Sequence, residues 1–306
     1  MISASAVNLA RRCLRRAAFK YGSDVVPEPE PESDAIRTGK DGHAILEAYQ
    51  KEGWSPPQTP LGDLCRKGLP WLPHPGQATA EGLFNVTISG VPYLGYMDLE
   101  TDNARVFPGT TTLDGCIPGV IDYKFSKDPE RYGILTPADF LRDPQALLYA
   151  AYTFAKYGTS VVFLRWLKFR TQGKPKIFPV DALLTRQEVV RAFGKVVHPA
   201  ATALVHIRTK NNDPNSFAPN FEACHDFGRP CPYLGQCDTR SDRGMTLLDE
   251  MRALVGPGVA EAAQGPQAIN PPVELTKPPT TTHVHYPLRI ILEELGSALT
   301  RAAARV

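Results

Sequence analysis

Gly119 to Ser126 reads Gly-Val-Ile-Asp-Tyr-Lys-Phe-Ser, and this stretch organises everything around it. Read as a strand, it alternates its side chains, so Asp122 and Lys124 project from one face and Tyr123 from the other. On its N-terminal side, Leu83 to Glu100 (LFNVTISGVPYLGYMDLE) holds two β-rich runs split by Ser89-Gly90-Val91-Pro92, a hairpin signal. On its C-terminal side, Asp143-Pro144 offers an N-cap with proline in the first helical position. The helix it opens, PQALLYAAYTFAKY, closes at Gly158. Two more strands are expected over Ser160 to Arg170 and Lys174 to Asp181, followed by a capping box at Thr185-Arg186-Gln187-Glu188. The helix after that box runs toward Arg208, with a bend expected at Pro199. Upstream, Thr38 to Gly53 (TGKDGHAILEAYQKEG) reads as a helix ended by glycine. The order of helix, strands, helix, strands and helix predicts a mixed α/β fold, a mixed central sheet flanked by helices.

Composition bounds this reading. The 306 residues allow one large domain or two modest ones, and 42% hydrophobic with 22% charged residues excludes a fibrous or wholly disordered chain. The 29 prolines cluster in 26–33, 54–76 and 256–287, which marks connectors and a tail. The expected organisation is one domain over 1–240 and a proline-rich tail over 241–306. Leu288, Ile291, Leu292, Leu295 and Leu299 recur at helical spacing in the tail, so 286–306 is expected to form an amphipathic helix that docks on the domain or a partner protein. A net charge of +2 creates no field that announces nucleic acid, so any such case must come from local charge. No apolar run approaches the roughly 18 residues of a membrane span, and the basic N-terminus lacks the apolar block and cleavage site of a secretory signal. A cytoplasmic location is the expectation, and no repeat of 20–50 residues is present.

The chemistry concentrates between His43 and Tyr149. Asp98 lies near the end of the strand preceding Asp122, and if the two strands are neighbours it reaches the face of Asp122 and Lys124. Two carboxylates can hold a hard divalent cation through oxygen, while an adjacent ammonium orients or activates water. That is the arrangement a phosphodiester hydrolase needs, although an Asp-x-Lys on a strand is also an ordinary ion pair. Gln145 and Tyr149, four residues apart, share one helix face, where Tyr149 would serve equally well as core.

The ordered set of His43 in GHAILEAY, Gly95-Tyr96-Met97-Asp98, Ile121-Asp122-Tyr123-Lys124 and Gln145-Ala146-Leu147-Leu148-Tyr149 resembles the motifs of RecB-like nucleases of the PD-(D/E)XK superfamily. The resemblance implies a restriction-endonuclease-like core. It makes His43, Asp98 and Asp122 metal ligands, with the Tyr123 carbonyl a further one, and Lys124 the group that positions or activates water. Gln145 and Tyr149 would steady Lys124 and the scissile phosphate. A histidine among oxygen ligands suits Mn²⁺ as well as Mg²⁺. The chain looks most like stand-alone phage or prokaryotic members, which implies an exonuclease acting on DNA ends, single-stranded ones included, in recombination, repair or processing. The alternative is a non-catalytic DNA-binding or assembly module that keeps the fold.

Cys224, Cys231 and Cys237 form a C-x₆-C-x₅-C run, without the knuckle of two to four intervening residues usual in structural zinc sites. Three thiolates leave a four-ligand site one short. Cys13, Cys65, Cys116 and His225 are the candidates for the fourth. The segment Ser3 to Arg16 (SASAVNLARRCLRR) resembles the entrance helix of iron–sulfur members of the same family. That resemblance implies Cys13 as the fourth ligand of a 4Fe–4S cluster bracing the two ends of the domain, with zinc in the same four-cysteine site as the alternative. The family often has proline after that first cysteine, where this chain has Leu14. Arg11, Arg12, Arg15, Arg16 and Lys20 would give the first helix a phosphate-binding surface. Trp54, Tyr93, Phe125 and Tyr132 are candidates to stack a base.

Overall fold

The structure, a computed structural model, describes residues 1–27, 32–110, 113–131, 133–209 and 213–237. Helix α1 (Ala4–Arg12) starts at Ser3, whose hydroxyl accepts the Ala6 N–H. It stops at Cys13, where the backbone turns extended (φ −158, ψ 111) before α2 (Leu14–Gly22) begins. The single entrance helix expected over 3–16 is therefore two. Helix α3 (Asp34–Glu52) starts at a Ser33 cap and ends on Gly53 in the left-handed region (φ 72). Helix α4 (Pro60–Gly68), capped by Thr59, lies in a stretch whose prolines suggested irregular chain. Strands β1 (Thr79–Ile88) and β2 (Val91–Thr101) are joined by a two-residue turn with both Ser89 (φ 51) and Gly90 (φ 77) left-handed. That sign at both positions is what a tight hairpin between right-twisted strands requires.

Strand β3 (Gly119–Ser126) leads through a 3₁₀ turn to α5 (Pro144–Tyr157), where the Asp143 carboxylate accepts the N–H groups of Gln145 and Ala146. Strands β4 (Val161–Arg170) and β5 (Ile177–Thr185) follow. Helix α6 (Arg186–Val196) opens on the Thr185–Glu188 capping box. Helix α7 (His198–Thr209) begins beyond Val197, so the expected bend is a break two residues before Pro199. The sheet order is β1-β2-β3-β4-β5, antiparallel throughout except for the parallel β3–β4 pair that α5 connects.

The fold is mixed α/β, with two apolar layers on either side of this sheet. One packs Leu147, Leu148 and Phe154 of α5 with Val7, Phe193, Leu204 and Trp166. The other packs Leu46 of α3 and Leu64 and Cys65 of α4 with Leu99, Ile121, Tyr123 and Phe169. Each fully buried side chain of this size contributes about 1.5–3 kcal/mol. The first five residues of β3 are buried because both faces are covered. Gly42 lets α3 approach β3, since a Cβ there would lie 2.4 Å from the Phe125 ring. The next residue along α3 is His43, which is thereby brought to the sheet.

Candidate active site and cysteine centre

The α5 side of β3 carries one continuous polar network. Lys124 Nζ lies 2.5 Å from Asp122 Oδ2 and donates to Gln145 Oε1 at 2.7 Å. The Gln145 amide donates to Asp122 Oδ1 at 2.8 Å and to the Tyr149 hydroxyl at 2.6 Å. That hydroxyl stands 2.5 Å from the Tyr96 carbonyl and 3.1 Å from Asp122 Oδ1. The i, i+4 spacing on a capped helix thus aims Gln145 and Tyr149 at the carboxylate of β3. Burial pushes the Asp122 carboxyl up to about 6, the Lys124 ammonium pulling it down and the Asp98 charge adding to the rise. For Lys124, burial favours the neutral amine, but the charge and hydrogen bond of Asp122 more than reverse this and raise its pKa. Burial also carries the Tyr149 phenol well above its ordinary value, with Asp122 and Asp98 adding to it.

Asp98 does not join that face. Pairing between β2 and β3 stops at Leu99↔Ile121, and Asp98 occupies the opening, where its Oδ2 accepts the Tyr123 N–H at 2.5 Å. Its Oδ1 lies 3.0 Å from His43 Nδ1, on the α3 side. The cause is a break in alternation. Met97 belongs to the α5-side core and Leu99 to the α3-side core, although residues two apart on a regular strand share a face. Across the hairpin, Ala80 pairs with Leu99 and Gly82 with Met97, while Glu81 between them takes a left-handed φ of 53. This conformation is uncommon and costly for a residue with a Cβ. Its outcome is to add Glu81, which the sequence did not suggest, to the expected ligands His43 and Asp98: ligand atoms of the three all lie within 4.8 Å of one another. Burial raises the Glu81 carboxyl pKa, and the nearby charges of Asp98 and Glu47 raise it further. Burial opposes protonation of His43, but the Asp98 hydrogen bond and the charges of Asp98 and Asp122 override it and raise its pKa.

The second centre lies where the ends of the described chain meet. Cys13, at the α1–α2 junction, lines one pocket with Cys224, Cys231 and Cys237, alongside Phe19 and Tyr233. Phe19 and Tyr233 stack with centroids 5.3 Å apart, and Cys231 N–H donates to the Cys224 carbonyl at 2.7 Å. Asn220 reaches back to the Arg12 carbonyl at 2.7 Å. Four thiols lining one pocket match a four-sulfur centre in donor type and number. Among the other fourth-ligand candidates, Cys65 is buried in the α4 layer with its thiol pushed up to about 12 by burial. Cys116 donates to the Asp102 carbonyl at 3.4 Å, and neither it nor the exposed His225 lines the pocket.

Two expectations about nucleic-acid contacts change. Arg15 is buried, so it leaves the basic surface to Arg11, Arg12 and Lys20, with Arg16 half-buried. Tyr93 is fully buried against Phe193, and Phe125 stacks on Phe169 at 4.5 Å, which withdraws both as base platforms. Trp54 is 66% exposed. Tyr132, the tail over 241–306 and its expected helix lie outside the described residues. Among the described residues no helix is long and apolar enough to cross a membrane.

No family model matches the chain, and no curated protein matches its sequence. The crystal structure of a "Putative exonuclease" from Eubacterium rectale superposes with a TM-score of 0.44 and 13% identity, over 74% of this chain and 86% of that one. At that identity and overlap the likeness says nothing about chemistry.

Proposed function

We propose that this chain is a metal-dependent deoxyribonuclease, an exonuclease acting on DNA ends. The observation that carries the reading is the meeting, across the β2–β3 opening, of the His43–Glu81–Asp98 group with the Asp122–Lys124–Gln145–Tyr149 network. His43, Asp98 and Glu81, with Asp122 and the Tyr123 carbonyl beside them, would hold Mg²⁺ or Mn²⁺. Hard oxygen ligands with one imidazole suit either ion. A cation held there would supply polarisation of the scissile phosphate and a lowered pKa for the attacking water. Lys124 keeps its ammonium at the edge of the site, with 35% of its side chain exposed, where it stabilises charge developing on a phosphate oxygen. Asp122 and Gln145 fix where that ammonium points, and Tyr149 ties Asp122 to the backbone of β2. Arg11, Arg12 and Lys20 offer cations for the DNA backbone. The cysteine centre is read as a 4Fe–4S cluster, with zinc as the alternative, bracing the domain rather than driving the cleavage.

End-labelled linear and closed circular DNA, incubated with Mg²⁺ or Mn²⁺ and with EDTA as control, tests the reading. Metal-dependent release of nucleotides from linear DNA, absent from circular DNA and from an Asp122→Ala variant, is the expected result. DNA binding with no release under either metal would overturn it. Iron assay and a broad absorption near ~400 nm after anaerobic purification test the cluster.

A further inference from the structure

We infer that Arg15 sets the electronic state of the cysteine centre, acting as a positioning and charge-balancing residue; the inference rests on reading that centre as an iron–sulfur site. Arg15 stands in a basic run, Arg11-Arg12-Cys13-Leu14-Arg15-Arg16, whose other arginines face outward or half outward. Its guanidinium instead turns inward, and the residue is 8% exposed. Nε donates to the Phe217 carbonyl at 2.6 Å and Nη2 to the Asn215 carbonyl at 3.1 Å. These two bonds hold the plane so that Nη1 donates to Cys237 Sγ at 3.8 Å. A guanidinium is always charged, and burying one is costly unless an anion faces it.

The anion is in place at the same helix end. Cys13 caps α2, its Sγ accepting the Arg16 N–H at 3.4 Å. Two of the four sulfurs therefore receive donors from the first turn of α2, one from its backbone and one from its buried cation. Four thiolates around a 4Fe–4S core leave the assembly a net anion, and taking up one electron makes it more negative. A fixed cation and hydrogen bonds to sulfur favour the reduced form, so they raise the reduction potential. Arg15 would thus make the cluster easier to reduce than a similar four-cysteine site without it. The two carbonyl bonds explain why the charge cannot swing out into solvent.

The test uses the full chain purified anaerobically, with Arg15→Gln and Arg15→Lys beside wild type. Iron and zinc are assayed, and the cluster is titrated with dithionite while its reduced form is followed by electron paramagnetic resonance. Circular dichroism and thermal unfolding monitor the fold. The expected result is a midpoint shifted to more negative potential in Arg15→Gln, with a smaller shift in Arg15→Lys, which keeps the charge but not the fork. If Arg15→Gln loses its iron, a negative shift in Arg15→Lys carries the same conclusion. Wild-type midpoints in whichever variants retain iron would overturn the role of Arg15 and leave the cluster standing. Wild type that holds only zinc, or no metal, would overturn the cluster and this inference together.

Discussion

The two centres are assembled in opposite ways. Asp98, Asp122, Lys124, Gln145 and Tyr149 come from two adjacent strands and the helix after them; hydrogen bonds join the last four, and Asp98 is tied to the same strand through the Tyr123 N–H. The four cysteines come from the two ends of the described chain, and Arg15 and Asn220 link those ends through backbone carbonyls. The difference teaches where each centre draws its stability. The sheet beneath the first has apolar layers on both faces and does not need the carboxylates to fold. The second sits where two ends of the described chain meet, beside the Phe19–Tyr233 stack and the Arg15 and Asn220 bonds. Losses in the first should fall on chemistry, and losses in the second on structure.

The sharpest way to break this contrast is Asp122→Ala. Without Asp122 the Lys124 ammonium loses its anchor, and the proposed cation loses a neighbouring carboxylate. Several kcal/mol of transition-state stabilisation go with them, so DNA cleavage should fall about 10³-fold or more. Circular dichroism and the melting temperature should stay near wild type, because a third-exposed lysine can turn to solvent. A collapsed fold in this variant would mean that the network supports the sheet after all. Cys224→Ser should do the reverse: iron per chain falls below wild type, the melting temperature drops, and protease cuts appear first near residues 213–237. A Cys224→Ser protein with unchanged iron and melting temperature would remove the brace.

Glu81 sharpens the comparison within the first centre. If its left-handed backbone serves to hold a carboxylate toward the cation, Glu81→Gln should weaken Mn²⁺ binding about 10–100-fold, as loss of a supporting metal contact does. Titration calorimetry with the metal alone reads this without reference to cleavage. Unchanged Mn²⁺ affinity would confine the cation to His43, Asp98 and Asp122.

What the sequence made legible follows from how local each feature is. Strand β3 and helix α5 were readable because alternation, the Asp143 cap, Pro144 and the Gly158 stop are signals carried by neighbouring residues. Helical spacing puts Gln145 and Tyr149 on one face of α5, while only the resemblance to nuclease motifs implies that this face meets Lys124. Strand adjacency predicts that Asp98 approaches Asp122, but not that it bonds toward the α3 side, because the swap between Met97 and Leu99 interrupts the strand's alternation. Glu81 was missed for the same reason, since a left-handed backbone in a non-glycine residue leaves no compositional mark. A glutamate two residues ahead of a β-rich run was the one signal available. The inward turn of Arg15 was hidden because a run of arginines on a helix reads as one solvated surface. Carbonyls 200 and 202 residues away select which of them is buried.

The smallest expected effect lies outside both centres, at the start of α6. Thr185 Oγ1 accepts the Glu188 N–H at 3.3 Å, while Glu188 Oε2 accepts the Thr185 N–H at 2.9 Å and its hydroxyl at 2.6 Å. Replacing Thr185 with alanine removes the cap and should cost about 1 kcal/mol, or about 2–4 °C in melting temperature for a domain of this size. Hydrogen bonds from the Thr185 side chain and backbone hold the Glu188 carboxyl below its usual pKa. Its contribution is therefore fully present at neutral pH and is lost as pH falls through the folded pKa. The gap between wild type and Thr185→Ala should narrow over that acid range, because protonation weakens the bond from the Thr185 hydroxyl to the carboxylate, which only wild type has. Iron content and cleavage at neutral pH should be unchanged, since α6 carries no member of the Asp122 network and lines no part of the cysteine pocket. A Thr185→Ala protein that loses iron would show that the helical layer transmits strain from β5 to the chain ends, and the separation of the two centres would fail.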